Sequence, residues 1–342
     1  MKKFLCMLLA VLLVMAIAMP AALAEGTSGT PAATGTAALF AGGTGTKDDP
    51  FQITTAAQLA SVKGAVDEDP SYCFKVMNMI NMSGVAFTPI ADKYIPFEGT
   101  FDGNNMNIAN LTVKEDGEGW TTALFRASEG MIKSVRLVNA KIYNTNKVRG
   151  FAAGICGWNE GTIADCTVYG TIASYASTSY GLAGGICCVN RGYIKACTNN
   201  ARVRSYMTAY TYCGGIAALN SYDSDTNGAA KLDGCTNKGY ISGGKAGGVV
   251  GQNEGGYIYN CKNRNKVKAD KFYAGGIAAT NVKSEGRAAR VQSCYDYSAA
   301  ISGRFKGSIV GYNQTGSKVY KSNKAAKIVK IGKIGAGFKV LV

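Results

Sequence analysis

Along most of the chain, apolar and polar positions alternate in runs of three to five residues, and Gly or Asn interrupts the runs before a second apolar stripe can build. Period-two alternation in short pieces predicts strands. One stretch departs from it. Leu59-Ala60-Ser61-Val62-Lys63-Gly64-Ala65-Val66 has helical spacing, and Thr55-Ala56-Ala57-Gln58 before it has the Ser/Thr-x-x-Gln form of a capping box.

The strand pattern repeats. Gly154-Ile155-Cys156-Gly157-Trp158-Asn159 aligns with the segments ending at Asn190, Asn220, Asn253, Asn281 and Asn313, and the asparagines stand 31, 30, 33, 28 and 32 residues apart. A trailing apolar-x-x-Cys element recurs as Ile163 with Cys166, Ile194 with Cys197, Leu232 with Cys235, Ile258 with Cys261 and Val291 with Cys294; in the last unit Val319 is followed by Ser322. Each unit closes on a β-branched residue: Ile172, Val203, Ile241, Val267, Ile301 and Ile328.

Units of about 30 residues with three short strands leave no room for crossover helices. They fit one turn of a right-handed, single-stranded parallel β-helix, an all-β solenoid in which coils stack at about 4.8 Å and equivalent residues form ladders. The pattern predicts about eight coils, near 40 Å long, with the helix as an N-terminal cap. A stacked asparagine column would satisfy turn amides. The cysteine column reads as an inward ladder of small thiols. Alternation places Ile155, Gly157 and Asn159 on one side, with Gly157, Cys188, Ala218, Gly251, Ala279 and Gly311 at a tight interior corner.

The Gly-Gly-Ile-x-Gly-x-Asn-x-Gly-x-Ile-x-x-Cys units resemble the GLUG repeat of secreted bacterial surface proteins, which also occurs in non-catalytic regions of immunoglobulin-A-cleaving metallopeptidases. Asp49-Pro50-Phe51-Gln52-Ile53, Phe97–Asn105 and Ile108–Val113 look like the coils that lead into such repeats. The resemblance covers about 47–325. It implies an adhesin-like or wall-associated protein and carries no catalytic residue with it. The metallopeptidase His-Glu-x-x-His motif cannot occur, because the chain has no histidine.

The two ends differ from the repeats. Lys2 and Lys3, the apolar run Phe4–Met19 and Ala22-Leu23-Ala24 read as a cleaved secretory signal peptide over 1–24, so a secreted or surface-associated protein is expected. Residues 25–46 have linker composition. The folded part is placed at 47–330, divided into leading coils 47–145 and repeats 146–330, with 331–342 a basic tail or closing strand. No second apolar segment suggests a transmembrane span in the mature chain.

Charge and composition then narrow the chemistry. The net charge of +15 falls to +13 without Lys2 and Lys3. From Tyr297 onward there are nine cations and no acid, and Lys324, Lys327, Lys330 and Lys333 form the densest part. This suggests contact with a polyanion; the plain alternative is a solvated face or a guarded strand edge. Absent histidine excludes Ser-His-Asp and Cys-His nucleophiles, His general bases and His-containing zinc sites.

Four further features could carry chemistry. Cys156 and Cys187 occupy equivalent positions in consecutive coils and alternate outward from Ile155 and Ile186, within reach of a disulfide. Asp223, Asp225 and Asn227 open a calcium-type loop that lacks the glutamate at its twelfth position, Gly234, so an ordinary Asx-rich turn competes. Tyr180, Tyr210, Tyr212 and Tyr273 beside Phe272 could form an aromatic strip for sugar rings, although packing between coils would give the same pattern. The acids Glu160, Asp165, Asp233, Glu254 and Asp296 read as isolated, without the converging carboxylates that polysaccharide cleavage needs.

The expected function is therefore a monomeric, non-catalytic binding protein without a required cofactor, contacting extracellular glycans, wall polymers or surface proteins, with non-specific polyanion binding through its basic end. A polysaccharide lyase or glycoside hydrolase on the same scaffold is the alternative.

Overall fold

The computed structural model describes residues 35–324 apart from 118–120, 179, 207–209, 223–227, 229 and 270–271. The signal-peptide reading, the calcium-loop residues Asp223, Asp225 and Asn227, and the lysines Lys327, Lys330 and Lys333 lie outside the described residues. Lys324 is described only through its backbone, in the strand Asn323–Lys324.

Each coil runs through four short strands, as in Thr162–Ala164, Thr167–Ser174, Tyr180–Gly184 and Cys187–Asn190, after which Tyr193–Lys195 begins the next. Equivalent strands pair in parallel and in register, which gives four sheets of 10, 14, 7 and 7 strands, here sheets I to IV in coil order. The chain is a parallel β-solenoid of about seven turns, one fewer than the repeat count predicts.

The bends explain the sequence motif. Between sheets I and II one residue per coil takes a left-handed conformation, including Asp165, Ala196, Gly234, Asn260 and Ser293, and the following cysteine turns into the core. The thiols of Cys166, Cys197, Cys235 and Cys294 each donate to the carbonyl two residues earlier, at 3.2 to 3.4 Å. Ser322 makes the same bond through its hydroxyl at 2.9 Å, so the column continues in kind where it ends in cysteine. Between sheets III and IV the Gly-Gly pair is a steric need. A Cβ on Gly214 would lie 1.8 Å from the Ala217 carbonyl oxygen, and one on Gly215 2.1 Å from that of Gly248.

This second bend corrects two expectations. It falls between Ile155 and Cys156, so alternation is broken there and both side chains enter the main core, fully buried. Cys156 and Cys187 are in register but inward, and both are free thiols. Parallel in-register side chains stay about a strand spacing apart, whereas a disulfide needs its Cβ atoms at about 3.8 Å. The small column lies on the opposite side from that expected: Cys188 and Ala218 join Leu182, Val189, Tyr212 and Leu219 in a second apolar cluster.

The asparagine column is a continuous side-chain ladder. Asn159 donates to Asn190, Asn190 to Asn220, Asn220 to Asn253, Asn253 to Asn281 and Asn281 to Asn313, all at 2.7 to 2.8 Å. A second ladder in sheet II, Asn199 to Asn237 to Asn263 to Asp296, runs at 2.8 to 2.9 Å. At the N-terminal end the helix Ala56–Glu68 begins on the capping box of Thr55 and Gln58 and buries Leu59, Val62, Ala65 and Val66 in the main core. The edge strand Phe51–Ile53 is covered by the segment at Ala41 and Gly42.

Candidate functional site

With the core filled by ladders, outward positions remain for function. The tyrosines singled out from sequence are mostly spent on packing. Tyr180 and Tyr212 meet edge-on at 6.1 Å over the second apolar cluster, and burial pushes the Tyr180 phenol well above its usual range. Tyr212 is 9% exposed and its hydroxyl bonds the Lys245 ammonium at 2.9 Å. Tyr273 stacks on Phe305 at 5.3 Å and meets Tyr312 at 5.2 Å, while Phe272 is half-buried. Tyr210 alone of the set stands out, at 66% exposed. These rings follow the seam between sheets III and IV, so the inter-coil packing alternative holds for Tyr180, Tyr212 and Tyr273.

The open aromatic and cationic face is on sheet II. There, Arg202 and Arg204 flank the inward Val203, which pairs with Ile241 and then Val267 in the next two coils. Lys238 and Arg264 follow the laddered Asn237 and Asn263, and Lys262 and Lys266 stand on either side in the same coil as Arg264. Guanidinium groups lie over tyrosine rings: Arg204 over Tyr206 at 4.5 Å, Arg264 over Tyr297 at 5.0 Å and Arg202 over Tyr240 at 5.5 Å. Tyr206 also stacks on Tyr175 at 5.0 Å. No acidic side chain occupies the outward positions of these strands, since Asp296 points inward and is 1% exposed. Lys238 and Arg264 stand at equivalent positions one coil apart, where like charges about 6 Å apart repel by roughly 0.7 kcal/mol in water, less with salt. Sequence reading missed this face because its residues differ from coil to coil; the available signal was cations immediately before and after the Asn and β-branched columns.

A second cluster lies at the turn between sheets IV and I. Glu98, Glu129 and Glu160 precede Gly99, Gly130 and Gly161 and stack in consecutive coils, so Glu160 is not isolated. Desolvation, then Glu160 and Glu98, raises the Glu129 carboxyl above its usual range. Arg191 continues the column, pairing with Glu160 at 3.5 Å and lying 4.6 Å over the Trp158 ring. The Trp158 indole N–H donates to Glu160 at 2.8 Å. Lys93, Pro96, Glu129, Trp158, Glu160 and Arg191 line a small cavity. The 31-residue spacing of positions 98, 129, 160 and 191 was the overlooked sequence signal. Asp165, Asp233, Glu254 and Asp296 do not join this column. Among the described residues no cluster of three or more His, Cys, Asp or Glu is arranged to hold a metal ion.

Comparison with known proteins gives the fold and little more. No family model matches the chain. It is 30% identical over 142 residues to Halomucin of Haloquadratum walsbyi and 28% identical over 138 residues to a protein assigned as a Gly-rich membrane protein of Evansella cellulosilytica. Each match covers 38% of this chain, but only 2% and 16% of those two proteins. A solved structure, assigned as an immunoglobulin A1 protease of Bacteroides ovatus, superposes with a TM-score of 0.62 at 20% identity, covering 87% of this chain and 84% of that one. At that identity the likeness is one of fold. Among the described residues no helix is long and apolar enough to cross a membrane.

Proposed function

We propose that the chain is a secreted or surface-associated, non-catalytic binding protein of the adhesin-like kind, whose solenoid offers its outer sheet faces to carbohydrate, protein or polyanionic polymer. The observation that carries this reading is the sheet II face, where arginines and lysines interleave with tyrosines across consecutive coils on a backbone held by its inward side. Outward cations add nothing to a core made of Val203, Ile241 and Val267. Repeat surfaces of this kind suit long ligands that have no pocket to enter. The test is binding of the purified chain, immobilised on a biosensor, to arrayed glycans, wall polymers and surface proteins. Saturable binding to one class is expected, and silence across the panel overturns the reading.

A second reading, a carbohydrate-active enzyme, is favoured by the stacked Glu98, Glu129 and Glu160 beside Trp158, because one carboxyl with a raised pKa, as at Glu129, next to a second carboxyl is what glycoside cleavage employs. Release of reducing ends from a polysaccharide panel, abolished by Glu129→Gln, would replace the non-catalytic reading.

A further inference from the structure

We infer that the outward face of sheet II holds a linear polysaccharide bearing carboxylate or sulfate groups, laid along the stack across the strands; this rests on the binding reading above and names its ligand. Arg202, Arg204, Lys238, Lys262, Arg264 and Lys266 project from three successive coils, and Arg202, Lys238, Arg264 and Lys266 are exposed. The ion pairs Lys63–Asp67, Arg126–Glu115, Lys133–Asp102 and Arg191–Glu160 lie elsewhere. Guarding a strand edge does not account for these cations. The strands Arg202–Ser205, Ile241–Gly243 and Val267–Ala269 are interior members of sheet II, paired on both sides, so they have no edge to guard. Lys238 and Arg264, at equivalent positions in adjacent coils, oppose folding by their like charge, and a bound polyanion reverses that sign.

The geometry favours an acidic polysaccharide over nucleic acid. In register, cations alternate with uncharged residues, since Arg204 pairs with Ser242 and Ser242 with Lys268. Cations therefore recur along such a row every second coil, about 9.6 Å, and a polymer with an anionic group on every second sugar meets the row repeatedly. Each arginine lies against a tyrosine ring, which fixes the guanidinium fork for paired hydrogen bonds to a carboxylate or sulfate. The same contacts cover ring faces on which single-stranded bases would stack. The face is a broad sheet, without a helix or two-stranded ribbon to enter a major groove.

The test measures binding of the full chain to a polyuronate, a sulfated glycan, a neutral glycan of similar length and duplex DNA across a salt series. The triple variant Lys238→Gln, Arg264→Gln, Lys266→Gln is compared with Lys195→Gln, Lys231→Gln, Lys318→Gln, which removes equal charge from sheet I. Expected is tighter binding to the acidic glycans than to the neutral one or to DNA. The sheet II triple should weaken it about ten-fold or more at low salt and lower the log–log salt slope by roughly two to three. The sheet I triple should bind nearly as the parent does, and both variants should keep the parent melting temperature. Equal weakening by both triples would reduce the effect to net charge and overturn the inference. So would tighter binding to duplex DNA. Binding to the neutral glycan at parity would overturn the ligand class while leaving the binding reading intact, and no binding to any of the four polymers would overturn the inference and leave the binding reading to surface proteins alone.

Discussion

Replacing Asn220 with Ala interrupts the longer asparagine ladder at its centre. Asn220 is fully buried, accepts from Asn190 at 2.8 Å and donates to Asn253 at 2.7 Å. After the change the Asn190 amide keeps Gly192 and Lys231 carbonyls at 3.2 and 3.3 Å, so that half of the loss amounts to about 1 kcal/mol. The Asn253 side-chain oxygen instead loses its ladder donor in a buried site, which costs about 1–3 kcal/mol. The sum is about 3 kcal/mol. The comparison is Asn313→Ala at the ladder's last rung, where the residue is half-buried and solvent can replace the lost bond, so about 1 kcal/mol is expected. With a urea m-value of about 3 kcal/mol/M, the central variant should shift the unfolding midpoint by about 1 M, and the terminal one by about a third of that. Circular dichroism in a urea series reads both. A central variant within about 0.2 M of the parent, or a terminal variant that costs more, would refute the claim that the ladder is a buried, mutually dependent network.

Other outcomes follow from the same geometry. Ile216→Asp places an unpaired charge in a fully buried site and should cost several kcal/mol, whereas Tyr222→Ser gives up a contact with the Arg287 guanidinium at 4.3 Å and should cost about 1 kcal/mol or less; equal melting temperatures would reverse the inward and outward assignment. All ten described cysteines are buried, and burial raises the thiols of Cys156, Cys187, Cys197 and Cys261, so a thiol reagent at neutral pH should react slowly with the native protein and with all ten after unfolding. Joined Cys156 and Cys187 peptides in a non-reducing map would contradict the inward arrangement. Because the folded state raises the Glu129 carboxyl, this group favours folding at low pH and opposes it once pH rises past the ordinary carboxyl range. Glu129→Gln should therefore melt at or above the parent at neutral pH and lose that advantage in acid; the opposite order would show Glu129 making a favourable contact as an anion.

The repeats alone determined the stacking. In-register coils put equivalent residues one above another, so any side chain whose best neighbour is a copy of itself must recur at the coil period, as the asparagines ending at Asn313 and the cysteines ending at Cys294 do. The capping box was equally legible, because its bonds close within Thr55–Gln58. Facing direction was less so. Cys156 reads as outward by alternation, and only the bend between sheets III and IV turns it inward beside Ile155. The candidate sites were hidden for a related reason. Arg202, Lys238 and Arg264 share no column identity, since an outward position needs only to avoid the core, and their common face exists only once the coils are wound. Glu98, Glu129 and Glu160 likewise become neighbours through stacking, which converts a separation of 31 residues into one coil rise.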